Sequence, residues 1–132
     1  MKHSKLEDCC LTIEQAKELQ ALGINMDNCL MEFCSLKDLG DYHLLPKHKY
    51  ENNFIRWKYI PTLTNTEMLE MLPKEIDGYK LTFVYDYFRN GDDKYYIGYL
   101  KTYSAPLKEL ESTLLRNSLF GMIKWLKINK LM

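Results

Sequence analysis

The sequence predicts an α+β domain in two layers: a mainly antiparallel sheet of three or four strands with helices on one face, in the order α-β-β-α-β-β-α. Three observations carry this reading. Two helix starts are written as capping boxes, Thr12 with Gln15 and Thr64 with Glu67. A tyrosine-rich alternating segment from Tyr79 to Tyr87 runs into Asn90-Gly91, a hairpin signal, and then into a second alternating segment. A long apolar stretch from Leu107 to Leu126 recurs at helical spacing. At 132 residues the chain is read as a single domain, residues 1–132, large enough to bury a core without metals or disulfides. Residues 1–10 are expected to form a flexible N-terminal segment.

In chain order, the first helix is placed at 12–22, where Ala16, Leu19 and Leu22 share a side and Gly23 supplies the left-handed stop. Cys29 to Phe33 alternates as a short strand, with Cys29, Met31 and Phe33 on one face. Residues 35–52 hold no sustained period and are punctuated by Gly40 and Pro46, so they read as loop. Phe54 to Ile60 reads as a half-buried strand, Ile55, Trp57 and Tyr59 alternating with Arg56 and Lys58, and Pro61 is expected to end it. The second helix carries Met68, Leu69, Met71 and Leu72 and stops at Pro73. In the hairpin after Gly78, a two-residue Asn90-Gly91 turn places Tyr85 opposite Tyr96. A longer turn taking in Asp92 and Asp93 instead turns Tyr95, Ile97 and Tyr99 inward; the sequence leaves both registers open. The closing helix is expected from Ser104 to about residue 128, with Glu109 and Glu111 early and Lys124, Lys127 and Lys130 late, as the helix dipole favours.

Function is read mostly by exclusion. Eighteen basic residues balance eighteen acidic ones, which argues against a protein that covers many phosphates. The N-terminus has no apolar run behind its charges and no window is apolar enough to span a bilayer, so neither a secretory leader nor a membrane span is expected. Four cysteines, two of them adjacent, make a poor disulfide framework and fit a cytoplasmic chain with reduced thiols. The phosphate loop, the dinucleotide turn, the nucleophile elbow and His-Glu-x-x-His are absent, and no catalytic residue or cofactor is assigned. Asp41 with His43, and Glu67 with Glu70, are pairs of acid-base groups without an identifiable third partner. Cys29, Cys34, His43 and His48 imitate a two-Cys, two-His zinc site, but the central gap of eight residues is short and Pro46 separates the histidines, so metal is not expected. Cys10 precedes the first helix closely enough for the dipole to lower its pKa a little.

Ten tyrosines, seven of them between Tyr79 and Tyr103, point to a partner surface. Tyr85, Tyr87, Tyr95, Tyr96, Tyr99 and Trp125 are its candidate residues, with a protein partner or self-association favoured. The alternative is a nucleic-acid-binding accessory protein that stacks bases on the tyrosine hairpin, against which stand Asp86, Asp92 and Asp93 and the sparse local lysines. Trp125, beside Met122 and Leu126 and after the small Gly121, is expected in the core, its truncation costing roughly 3 to 5 kcal/mol.

The capped helix Leu11-Thr12-Ile13-Glu14-Gln15-Ala16-Lys17-Glu18-Leu19 with Leu22-Gly23, the segment Ile60-Pro61-Thr62-Leu63 before Glu67-Met68-Leu69-Glu70-Met71-Leu72-Pro73, and the closing helix near Trp125-Leu126 occur in this order. In these features the chain resembles small uncharacterised proteins encoded in bacterial phages and prophages. The resemblance implies a small accessory protein of mobile-element origin in a bacterial cell, and implies no reaction. Together these readings lead to the expectation of a non-enzymatic interaction module.

Overall fold

The computed structural model describes residues 6–36, 42–46, 56–87 and 93–132. It is an α+β fold with three α-helices and two antiparallel sheets. The first sheet has three strands in the order β2-β1-β3: β1 (Met31–Leu36), β2 (Tyr42–Pro46) and β3 (Arg56–Thr62). The second has four in the order β4-β5-β6-β7: β4 (Glu75–Ile76), β5 (Tyr79–Tyr87), β6 (Asp93–Leu100) and β7 (Lys108–Ser112). One hydrophobic core joins them, built from Leu19 of α1 (Ile13–Ala21), Met68 of α2 (Asn65–Met71), Ile97 and Tyr99 of β6, and Leu119, Met122, Ile123 and Leu126 of α3 (Leu115–Ile128).

Both capping boxes form as the sequence predicts. Thr12 accepts from Gln15 N at 3.1 Å while Gln15 Oε1 accepts from Thr12 N at 3.0 Å, and Gly23 stops α1 at φ 93°. Thr64 and Glu67 make the same reciprocal pair, and the chain leaves α2 at Leu72, before Pro73. Asp77 (φ 50°) and Gly78 (φ 85°) form the two-residue β4–β5 turn, the left-handed pair that a type I′ hairpin requires.

Pairing changes several boundaries. The stretch read as loop at 35–52 contains β2, which pairs along β1 from Met31↔Pro46 to Ser35↔Tyr42. Pro61 lies within β3 rather than ending it; β3 is an edge strand, where a missing N–H is tolerated because it can face away from the ladder. In β3 the buried residues are Ile60 and Thr62, and Tyr59, on the opposite side of the alternation, is 58% exposed; Ile55 lies outside the described residues. The closing helix starts at Leu115, not Ser104. Lys108 to Ser112 is a strand because its period is two: Leu110 sits opposite Ile97 on the core side, while Glu109 and Glu111 take the other face. At the N-terminus, residues 6–9 form a 3-10 turn and Cys10 is fully buried, so order reaches into the segment expected to be flexible.

Candidate interaction surface

The β5–β6 register decides where every tyrosine points. Tyr85 pairs with Tyr95, Phe83 with Ile97 and Leu81 with Tyr99, so these side chains share the face that α3 covers. Tyr95, Ile97 and Tyr99 thus turn inward as in the longer-turn alternative, although Asp93 pairs with Tyr87 as part of β6 and not of the turn; Asn90, Gly91 and Asp92 lie outside the described residues. α3 begins beyond β7, and Ser118 near its start donates to Tyr95 O at 2.9 Å. The helix therefore covers β6, where Ile97 and Tyr99 are wholly buried, and among the described residues leaves Phe83 and Tyr85 of β5 exposed.

Three rings gather there. Phe83 stacks on Tyr95 with centroids 6.5 Å apart, and Tyr85 tilts against Tyr95 at 5.0 Å. Phe83 and Tyr85 are 44% and 46% exposed, and Val84 between them faces solvent on the other side of the sheet. The Tyr85 hydroxyl donates to Asp93 Oδ1 at 3.0 Å, which fixes that ring without burying it. Burial raises the Tyr95 pKa, and the charges of Asp93 and Cys9 add to the shift, so its phenol stays neutral.

The remaining candidates fall elsewhere. Tyr99 belongs to the core, not to a surface: its hydroxyl donates to Pro73 O at 2.7 Å, and burial pushes its pKa up to about 12. Tyr96 lies on the opposite face of the sheet, its ring over Gly98 and its hydroxyl donating to Glu109 Oε2 at 2.8 Å. Burial first, then that hydrogen bond and the Glu109 charge, raises its pKa to about 12. Tyr87 ends β5, and its side chain lies outside what the structure describes. Trp125 is half-buried on α3, with Lys108 Nζ 5.9 Å from its ring. Phe83 was missed by sequence reasoning, although it falls in the same alternating row as Tyr85.

The acid-base and thiol candidates are dispersed. Cys34 and His43 are cross-strand partners in the first sheet, Cys29 lies in a separate cleft, and His48 and Asp41 are outside the described residues. Among the described residues no three His, Cys, Asp or Glu side chains come together in a way that could hold a metal. The cleft, about 410 Å³, is lined by Met26, Cys29, Leu63, Met71, Glu67 and Glu70, among others. Glu67 serves the fold there: Oε1 accepts from Thr64 N at 3.0 Å and Oε2 from Leu30 N at 3.2 Å. Cys10 departs from the expected lowering. Burial, with Cys9 and Glu67 nearby, outweighs Arg116 and raises its pKa to about 11, so the thiol is kept protonated.

Compared with protein-family models, with curated proteins and with solved structures, the chain matches none. Among the described residues no helix is long and apolar enough to cross a membrane.

Proposed function

We propose that this chain is a non-enzymatic interaction module that self-associates through the far half of the β5–β6 hairpin. The observation that carries the reading is the Phe83–Tyr95–Tyr85 group, in which the Tyr95 ring meets both others and Phe83 and Tyr85 are nearly half exposed on β5, beside the strands that α3 covers. Aromatic side chains with few rotatable bonds supply contact area at low entropic cost and are enriched where proteins meet. A second copy is the occupant with matching chemistry, since the same rings are presented by both partners. Asp93, held by Tyr85 at this end, supports a protein partner over a polyanion there. The resemblance to phage and prophage proteins supports an accessory role in a mobile element, acting in a bacterial cytoplasm. Sedimentation velocity over a wide concentration range tests the reading: a dimer that Phe83→Ser returns to monomer is expected, and wild-type protein that stays monomeric throughout overturns it.

A further inference from the structure

We propose that the opposite end of the same sheet, where the β6–β7 connection meets the last turns of α3, binds single-stranded nucleic acid. Zero net charge conceals a strong asymmetry: residues 94–132 hold seven Lys or Arg against two acids, Glu109 and Glu111. Both acids are turned to the outer face of the sheet, where Tyr96 holds Glu109 at 2.8 Å and Lys94 holds Glu111 at 3.0 Å. The helix-side face of this end is left to cations. Lys108 pairs with Tyr99, and Lys101 follows Tyr99 by two residues, so both lysines fall on that face.

Each of these lysines lies over an aromatic ring. Lys101 Nζ is 5.6 Å from the centre of Tyr79 and Lys108 Nζ is 5.9 Å from the centre of Trp125. Tyr103, at φ 62° and fully exposed, stands on the connection between them, where every residue from Lys101 to Pro106 is exposed. Lys130 is exposed just beyond α3, and no acid occurs in residues 112–132, while Lys127 in the last turn lies against Gly23 at the end of α1. Asp77, on the turn whose Gly78 lies against Lys101, is an acid bordering the patch.

Single strands are bound by this combination, with the exposed Tyr103 ring to stack a base and ammonium groups that follow the phosphates. A lipid surface reads cations too, but the Tyr79 and Trp125 rings are half-buried beneath the lysines and hold them in place without projecting as wedges, while one tyrosine, Tyr103, stands bare on a polar connection, which favours a base.

The test is fluorescence anisotropy of end-labelled oligo(dT) and oligo(U) with the full chain, run beside phosphatidylserine vesicles. Wild-type affinity is expected to fall about ten-fold or more between about 50 and 200 mM salt. The double variant Lys101→Gln, Lys108→Gln is expected to lose about ten-fold at low salt and to flatten the logarithmic salt slope by about 1.4, two phosphates' worth. Lys17→Gln, on the exposed side of α1, is expected to bind as wild type. No anisotropy change at low salt, a double variant indistinguishable from wild type, or retention on vesicles without oligonucleotide binding would each overturn the proposal. None of these outcomes depends on the dimer, whose own test is sedimentation.

Discussion

The two ends of the β5–β6 hairpin are built from the same alternation of tyrosines and differ in what lies over them. At the near end, Ile97 and Tyr99 sit under α3, and Tyr99 anchors the Pro73 carbonyl. At the far end, Tyr95 meets the rings of Phe83 and Tyr85, and these two face solvent. The difference is one of cover: α3, seated on Tyr95 through Ser118, packs on β6 and β7, and the β5 rings Phe83 and Tyr85 lie beside it, across from Ile97 and Tyr95. A tyrosine row thus contributes stability where a helix covers it and contact surface where none does.

The sharpest break of this comparison is Tyr99→Ala, which opens a cavity in the core and takes the donor from Pro73 O. Chemical denaturation is expected to show a loss of roughly 3 to 5 kcal/mol; a loss under about 1 kcal/mol would mean the near end is not the stabilising one. Trp125→Ala is expected to cost less, about 2 kcal/mol, because the indole is half-buried and part of its face is occupied by the Lys108 stem. That is below the core range the sequence alone predicts.

A smaller effect is expected at alkaline pH. Cys10 (about 11 against 9.0) and Tyr96 and Tyr99 (about 12 against 10.0) hold their protons more tightly folded than unfolded. Their contribution is fully present below the unfolded values and is lost as pH climbs through the window from about 9 to 12. Thermal melts across that window are expected to fall steadily, and Tyr99→Phe to remove part of the slope; a flat profile would contradict the burial of these groups. The smallest stability effect is expected at the far end. Phe83→Ser, at a site already 44% exposed, should shift the denaturation midpoint by no more than about 1 kcal/mol.

What the sequence made legible was local. Thr12 with Gln15, and Thr64 with Glu67, specify their helix starts within four residues, and both appear where the pattern puts them. Pairing between distant segments was not legible. Tyr42–Pro46 lacks a period of its own and becomes a strand through β1, and a single expected sheet is divided into two. Lys108–Ser112 was hidden because Glu109 and Glu111 suit the first turn of a helix as well as they suit the outer face of a strand. The candidate site was half legible: its residue types stood in the alternation, but a one-residue choice of register separates Tyr95 from Tyr96, and the packing of α3 on β6 separates Tyr99 from Tyr85 on β5.

The most direct test measures stability and association together on Phe83→Ser and Tyr99→Phe, by denaturant titration and sedimentation velocity on the same preparations. The expected result is a division: Phe83→Ser keeps wild-type stability within about 1 kcal/mol and sediments as monomer, while Tyr99→Phe loses stability and still dimerises. A Phe83→Ser protein that dimerises as wild type does, or a Tyr99→Phe protein that is monomeric at unchanged stability, would contradict the account.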